Sequence, residues 1–282
     1  MQPMTDKQAY EMYLRCFPEY PTSLDCFCSV MRPDLATQFC VCEDGAAVGC
    51  ALVHGNAAAM LCVLPEYRGR GHGGVLLCRA EAHIRAEGHA AVSLGFGPHY
   101  LLQGVPELPG GAAPFFERRG YTADWISVNM ALPLAGFDPQ KLCLPAPPAG
   151  LAFRFARAED RPALLRAVEA AQPDWLDIFR GMPENAPILL AELDGEIAGF
   201  EILEPAGGRF VPDGGTGSIG CVGVVPAARN RGAGRAMVAR GAAWLKEQGC
   251  DGIELRFVEL MDWYRAIGFE VTGRQWMGKK RL

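Results

Sequence analysis

The most informative stretch of this chain is Val-Val-Pro-Ala-Ala-Arg-Asn-Arg-Gly-Ala-Gly-Arg, residues 224–235. A second stretch, residues 63–74, reads Val-Leu-Pro-Glu-Tyr-Arg-Gly-Arg-Gly-His-Gly-Gly and has the same layout. The two stretches agree at the pairs Val63/Val224, Pro65/Pro226, Arg68/Arg229, Arg70/Arg231, Gly71/Gly232 and Gly73/Gly234. A repeat with fixed offsets indicates two copies of one structural unit, which we call the first copy and the second copy.

The repeat extends to both sides of these two stretches. Asp-Gly dipeptides at 44–45 and 194–195 stand between alternating apolar residues, which predicts a β-hairpin before each stretch. Apolar residues at helical spacing follow each stretch, and both runs stop at a glycine, Gly88 or Gly249, after the same interval. The ordered set predicts a tandem duplication in which each copy contains a hairpin, a glycine-rich turn, a helix and a further strand.

The composition between the copies changes at residues 133–150, which hold five prolines. Such a segment is typical of a semi-rigid connector rather than the interior of a helix or strand. We therefore predict an N-terminal domain at 1–132, a linker at 133–150 and a C-terminal domain at 151–282.

The charge of the chain narrows the classes of function. A net charge of −5 argues against a nucleic-acid-binding protein, whose usual footprint is a basic stripe. Residues 1–10 lack the layout of a signal peptide, and no apolar run reaches the roughly 18 residues that a membrane span needs. We expect a cytoplasmic protein with neither a nucleic-acid nor a membrane partner.

Eleven cysteines do not indicate a disulfide scaffold, because the number is odd and the chain is too long for that class. The pairs Cys26/Cys28 and Cys40/Cys42 are spaced more closely than is usual for zinc ligands. We therefore expect small buried side chains and no metal site.

A glycine-rich turn between a strand and a helix presents free backbone N–H groups and the positive end of the helix dipole, which together bind anions. The glycines at 69, 71 and 74 formally match a dinucleotide fingerprint. The second copy does not keep that pattern, since Asn230 and Arg235 replace two of the glycines, and no Gly-Lys-Ser/Thr of a P-loop follows either turn. The shared pattern is Arg-x-x-Gly-x-Gly.

This pattern resembles the hallmark of the GNAT superfamily of acyl-CoA-dependent N-acyltransferases, Val-x-Pro-x-x-Arg-x-x-Gly-x-Gly/Ala. A second family element, aromatic-Tyr-x-x-x-Gly-aromatic, stands at residues 263–269, and residues 115–121 match it in the first copy. The resemblance implies an α/β (α+β) chain of two tandem domains, each a mixed, mostly antiparallel sheet flanked by helices. It also implies that acetyl-CoA is the co-substrate.

Carried over by position, the resemblance implies that the strand before the turn holds the pantetheine arm and the turn holds the diphosphate. The expected pantetheine residues are Val222, Gly223 and Val224. The expected diphosphate residues are Arg229, Asn230, Arg231, Gly232, Ala233, Gly234 and Arg235.

The resemblance further implies direct attack of an amine on the thioester, with no covalent enzyme intermediate. Tyr264 would protonate the departing sulfur, and a strand amide near Val222 would polarise the acyl carbonyl. The first copy has Phe116 at the matching place. We therefore predict that catalysis belongs to the second copy and that the first shapes the structure, unless it uses another acid such as Tyr100.

The general base is not evident. The strand at 218–222 carries no acidic residue, so Glu254 and Glu259 are the nearest candidates by order. Cys221 lies in a predicted buried strand, which favours inert packing over a nucleophilic role.

We expect a small-molecule amine as acceptor and either a monomer or a homodimer. The loop at 204–217 could border the acceptor pocket. An alternative function is a non-catalytic acyl-CoA-binding or sensing module, and a dinucleotide oxidoreductase is a more distant third.

Overall fold

The computed structural model describes residues 4–97, 100–107, 111–205 and 215–282. The α-helices are α1 (Asp6–Cys16), α2 (Leu24–Val30), α3 (His72–Ala86), α4 (Ala113–Glu117), α5 (Arg161–Ala171), α6 (Leu176–Gly181), α7 (Ala233–Glu247) and α8 (Met261–Arg265). The strands are β1 (Thr37–Glu43), β2 (Ala46–His54), β3 (Ala57–Val63), β4 (Ala91–Leu94), β5 (Val105–Pro106), β6 (Thr122–Pro133), β7 (Ala152–Phe155), β8 (Ile188–Leu193), β9 (Glu196–Glu204), β10 (Thr216–Val224), β11 (Gly252–Val258) and β12 (Glu270–Arg281). None of the described helices is long and apolar enough to cross a bilayer.

The chain forms two compact units that divide within β6 and within β12. The described part of the first unit is 4–97, 100–107, 111–128 and 273–282, and that of the second is 129–205 with 215–272. These divisions differ from the boundaries that the proline content suggests, and the domain bounds stay a prediction.

The first unit has the sheet order β1-β2-β3-β4-β12-β6. Its pairs are antiparallel at β1/β2, β2/β3 and β4/β12 and parallel at β3/β4. The last strand of the chain is part of this unit, because Lys279 pairs with Ser93 and Arg281 with Ala91.

The second unit has the sheet order β6-β11-β10-β9-β8-β7. Its pairs are antiparallel at β7/β8, β8/β9 and β9/β10 and parallel at β10/β11. In both units a hairpin runs into a strand that pairs in parallel with the strand after the long helix. The mixed, mostly antiparallel sheet flanked by helices is therefore confirmed for each copy.

The local predictions of the repeat are also confirmed. The Asp-Gly dipeptides close the β1/β2 and β8/β9 hairpins, and both aspartates have positive φ angles. The helices α3 and α7 are each 15 residues long. They are followed by Gly88 and Gly249 with φ of 86° and 91°, the left-handed residue that commonly ends a helix.

The proline-rich segment after β6 packs against the second unit along α7. Lys246, near the end of α7, donates to the carbonyl oxygen of Phe137 at 2.8 Å. At the other end of the helix, the carbonyl oxygens of Pro145 and Ala146 lie 3.2 Å from the point where a Cβ of Gly232 would stand. This segment is therefore a strap that runs from the end of α7 to its beginning.

Candidate active site

The glycine-rich turn has the same backbone conformation in both copies. Arg68 has φ −68° and ψ 159°, and Arg229 has φ −66° and ψ 158°. Gly71 and Gly232 both lie in the left-handed region, with φ of 90° and 83°. Glycine adopts that region without the strain an L side chain would suffer, so each glycine lets the chain turn sharply into its helix.

The first turn of each long helix keeps backbone N–H groups without a partner inside the helix. The first helical bonds run from Val75 N–H to Gly71 O and from Ala236 N–H to Gly232 O. Among the described residues, no side chain caps either helix start. The earlier N–H groups and the helix dipole therefore form an anion site in each copy. In the second copy these groups belong to Ala233, Gly234 and Arg235.

The first arginine of the motif closes the turn onto the strand before it. Arg229 donates from Nε to Val224 O at 3.0 Å and from Nη2 to Ala171 O at 3.0 Å. Arg68 makes the same bond from Nε to Val63 O at 3.0 Å. This clasp is a structural role that the sequence analysis missed, and contact of Arg229 with a diphosphate stays a prediction.

The charge beside the turn differs between the copies. In the first copy Glu43 pairs with Arg70 and, at 2.7 Å, with His72. The His72 hydrogen bond, followed by Arg70, lowers the pKa of Glu43. Glu43 faces Ala46 across its hairpin and Leu193 faces Glu196 across the other, so an apolar residue holds this register position in the second copy. The second copy therefore has no carboxylate at the register position of Glu43.

An aromatic side chain covers the start of each long helix. A Cβ on Gly234 would lie 3.2 Å from Cζ2 of Trp263, and one on Gly73 would lie 3.4 Å from the ring of Phe115. A guanidinium stacks on each ring: Arg235 is 5.8 Å from the Trp263 centroid and Arg119 is 3.8 Å from the Phe115 centroid. The predicted turn residues and the second family element thus meet at one place in each copy.

The predicted pantetheine residues lie at a bulge of β10. Cys221 and Val222 fall between the paired residues Gly220 and Gly223 and have no register partner on β9. The parallel register of β10 with β11 covers only residues 216–218. The backbone of Val222 therefore lies outside the registers that β10 forms with β9 and with β11.

The structure gives a local reason for the residue type or position of Gly223, Val224 and Asn230. A Cβ on Gly223 would lie 2.2 Å from Cζ of Phe200, so the ring of Phe200 occupies that space. Val224 pairs with Gly199, and Asn230 has φ 59°, the left-handed value that asparagine tolerates better than most residues.

Tyr264 belongs to an aromatic triad that both copies share. Its ring lies 4.7 Å from Trp263 and 5.7 Å from Phe269, centroid to centroid. In the first copy Phe116 lies 5.0 Å from Phe115 and 5.6 Å from Tyr121. The packing is the same and the difference is the Tyr264 hydroxyl. Burial, then the charges of Glu201 and Cys221, raise the Tyr264 pKa, so the phenol stays protonated at neutral pH.

Comparisons with known proteins identify the family to which both copies belong. The family described as "Acetyltransferase (GNAT) family" matches residues 154–269, and "Acetyltransferase (GNAT) domain" matches residues 36–123. The chain is 30% identical over 245 residues to a mycothiol acetyltransferase of Beutenbergia cavernae, covering 79% of this chain and 76% of the relative. This chain belongs to the GNAT acetyltransferase family.

Two further comparisons define this GNAT protein more closely. A mycothiol acetyltransferase of Streptomyces avermitilis is 32% identical over 205 residues, which span 68% of this chain but only 60% of that relative. A tandem GNAT protein from the clavulanic acid biosynthesis pathway superposes with a TM-score of 0.71 at 17% identity, over 99% of this chain and 97% of that one. The tandem GNAT fold is therefore shown for this chain, together with a distant relationship to mycothiol acetyltransferases.

The first GNAT unit contains an open cavity of about 590 Å³. It extends from the turn into the gap beside β3, whose parallel register with β4 is limited to Ala57 and Ala58. Its walls include Met60, Cys62, Gly71, Gly73, Phe115 and Arg119. The volume is in the range of ligand sites, so the first copy retains a cleft although it lacks the tyrosine.

The predicted base candidates lie on β11 and just beyond its end. Glu254 aligns with Ser218 on the neighbouring strand and pairs with Arg256 at 3.0 Å. Glu259 is exposed beyond the end of β11. The sequence analysis missed Glu204, which accepts a hydrogen bond from the Ser218 hydroxyl at 2.7 Å and flanks Ser218 on its other side. Which group acts as base stays a prediction.

The sequence analysis also missed Glu201, a fully buried carboxyl in the middle of β9. A signal was present. The residue two places after Gly49 is Ala51, and the residue two places after Gly199 is Glu201. An acidic residue inside an otherwise apolar run of the repeat could have been found by extending the alignment of the copies along this strand.

Four further sequence predictions concern Cys221, a metal site, Tyr100 and the acceptor loop. Burial raises the pKa of the Cys221 thiol to about 11, which disfavours the thiolate that a nucleophile needs. Among the residues that the structure describes, no group of three or more His, Cys, Asp or Glu could hold a metal ion. Tyr100 is 45% exposed. Most of the predicted acceptor loop, residues 206–214, lies outside the described residues.

Proposed function

We propose that the second copy transfers the acetyl group of acetyl-CoA to the primary amine of a small molecule. The observation that carries the proposal is the Tyr264 hydroxyl, buried near the bulge of β10, at the place where the first copy has Phe116. A general acid at this position can protonate the thiolate as it leaves. The first copy has the same ring packing without a proton to give.

The arrangement of the second copy supports a direct transfer. The amine nitrogen attacks the acetyl carbon, and the carbon–sulfur bond breaks as the Tyr264 proton passes to sulfur. The Val222 N–H, free of the β9 ladder, would donate to the carbonyl oxygen and stabilise the charge that develops there. The amine's surplus proton leaves through a base or water, with Glu254 and the Glu204–Ser218 pair as candidates.

The helix start of the second copy would hold the diphosphate of acetyl-CoA. Its unbonded N–H groups, Arg231 without a carboxylate at the register position of Glu43, and Arg235 stacked on Trp263 all favour an anion. This gives the second copy a stronger positive field at the turn than the first, where Glu43 pairs with Arg70.

For the acceptor, we propose the amine that mycothiol acetyltransferases acetylate as the first candidate, since these relatives align with most of the chain. Other small primary amines form the comparison set. The second candidate function, a non-catalytic acyl-CoA-binding module, is favoured by the open cavity of the first unit. Both functions could reside in one chain, with catalysis in the second copy and binding in the first.

Calorimetric titration with acetyl-CoA tests the placement. Arg231→Glu and Arg70→Glu are the matched variants, because Arg229 and Arg68 also clasp the turn and their loss would disturb the fold. We expect a site that Arg231→Glu abolishes and Arg70→Glu leaves intact. A single site lost only with Arg70→Glu would overturn the placement in the second copy.

Release of free coenzyme A with a panel of amines tests the chemistry. We expect acetylation of at least one small amine by the wild type, and loss of turnover with retained acetyl-CoA binding in Tyr264→Phe. If the chain binds acetyl-CoA but acetylates no amine in the panel, the binding-module function replaces the enzyme function.

A further inference from the structure

The second unit buries a carboxyl that has no partner. Glu201, on β9, has none of its surface exposed. Within the described ranges, neither Oε1 nor Oε2 has a hydrogen-bond partner. An unpaired buried polar group is destabilising, so its presence points to a role other than stability.

The fold makes room for this side chain. Glu201 points from β9 toward α7, where a Cβ on Gly241 would lie 2.1 Å from Oε1. Phe200 and Ile202, its neighbours on the strand, pack in the opposite direction into the cluster with Leu164 and Val168. Glycine at 241 therefore leaves space beneath α7 for the Glu201 carboxyl.

The surroundings hold this carboxyl in its neutral form. Burial alone raises the Glu201 pKa to about 8. Tyr264 on α8 is a titratable group of another element that interacts with Glu201, and it also interacts with Cys221 on β10. Of the charged residues of α7, Arg240 pairs with Glu247 at 3.7 Å and Lys246 bonds to Phe137 O. Arg235 lies over Trp263, and its buried Nε has no hydrogen-bond partner among the described residues.

The charge of Glu201 acts on Tyr264. A negative charge on Glu201 raises the Tyr264 pKa further and makes the phenol a weaker acid. While the Glu201 carboxyl is neutral, it does not raise the Tyr264 pKa. The protonation state of Glu201 therefore changes how readily Tyr264 gives up its proton.

The two copies differ at both positions together. Gly49 pairs with Val63 and Gly199 pairs with Val224, so the two copies align at this position of the strand. The residue two places along is then Ala51 in the first copy and Glu201 in the second. The first copy thus has alanine with Phe116, and the second has glutamate with Tyr264. A carboxyl present only where the phenol is present points to a joint role.

We propose that Glu201 is a positioning residue that, in its neutral form, keeps Tyr264 able to donate its proton to the leaving thiolate. The inference rests on the proposed function of the second copy. No group transfer passes through Glu201, which acts on Tyr264 through its charge. Ionisation of Glu201 weakens Tyr264 as an acid, so turnover falls as the pH rises through the pKa of Glu201.

The first experiment needs no substrate. Because the pKa of Glu201 is raised above the roughly 4.3 of an unfolded glutamate, its favourable contribution to folding is complete below that pH and is lost as the pH rises to about 8. Glu201→Gln should therefore match the wild-type Tm at pH 4 and exceed it by several degrees at pH 8.5. Glu196→Gln, exposed on the same strand, is the control and should show no such pH-dependent gain. An equal Tm difference at both pH values would overturn the inference.

The second experiment measures kcat against pH with the accepted amine. The wild type should lose kcat above pH 8, and Glu201→Gln should retain it there, with little change in KM for acetyl-CoA at pH 7. A Tm gain with an unchanged alkaline fall of kcat would show a neutral carboxyl that does not act on Tyr264, which overturns the inference but not the proposed function. If no amine is acetylated, the proposed function fails, whereas the Tm comparison still reports the protonation state of Glu201.

Discussion

The first and second copies share one backbone design but differ in the groups that can do chemistry. Both have the same turn angles, the same arginine clasp and the same aromatic triad. The second copy adds the Tyr264 hydroxyl and the Glu201 carboxyl. The first copy adds Glu43 beside its turn and keeps an open cavity. The turn and its clasp are therefore properties of the fold, and the proposal of catalysis in the second copy rests on its polar additions.

The largest effect should come from removing the hydroxyl oxygen of Tyr264, which makes the second copy resemble the first at this position. Tyr264→Phe should lower kcat by roughly 10²- to 10⁴-fold, because the leaving thiolate loses its proton donor. KM for acetyl-CoA should change little, since Phe116 shows that phenylalanine fits the triad. Steady-state kinetics measure both constants. Phe116→Tyr is the reciprocal control, and an unchanged kcat in Tyr264→Phe would contradict the assignment.

A middle-sized effect should separate the two turns by stability. Gly232→Ala and Gly71→Ala both place an L side chain at a positive φ, which costs roughly 1–2 kcal/mol. The new methyl in Gly232→Ala also meets two carbonyl oxygens of the strap at 3.2 Å, whereas nothing lies within 4 Å at Gly71. Gly232→Ala should therefore have the lower Tm in thermal unfolding. Equal losses would mean that the strap does not press on the turn.

The smallest effect should come from introducing into the second copy the acidic residue that stands beside the turn of the first copy. Leu193→Glu places a carboxylate at the register position of Glu43 and should weaken acetyl-CoA binding roughly fivefold, as expected for a partly exposed ion pair. Calorimetry measures the affinity. Glu43→Leu is the matched change in the first copy and should strengthen any binding there. If Leu193→Glu leaves the affinity unchanged, the difference in charge between the two turns does not affect acetyl-CoA binding.

Much of the fold could be predicted because its signals are local. The Asp-Gly hairpins, the helix-ending glycines and the turn itself each depend on a few neighbouring residues, and duplication showed every signal twice. The clasp of Arg229 could not be predicted, because its partner Ala171 lies far away in the sequence and only the folded chain brings its carbonyl within reach.

The site was predicted less completely for a related reason. Tyr264 lies within a recognisable sequence pattern. Glu201 and Glu204 lie on β9, the strand that pairs with β10, and belong to no motif. Their importance depends on cross-strand register and on the space above Gly241, which become visible only after folding. The packing of the strap along α7 could not be predicted, because prolines indicate a stiff segment and not the surface against which it packs.

The final strand of the chain has a consequence for synthesis on the ribosome. The first unit contains residues 273–282, and residues 279–281 of this segment pair with β4, almost 190 positions earlier in the sequence. Domains usually fold in the order in which they emerge, but this unit must wait for its last strand until the second unit has been translated. A nascent first unit therefore exposes the edge of β4 throughout that time, and such an edge invites aggregation or chaperone binding. A chain cut at the proline-rich segment would keep that exposed edge permanently.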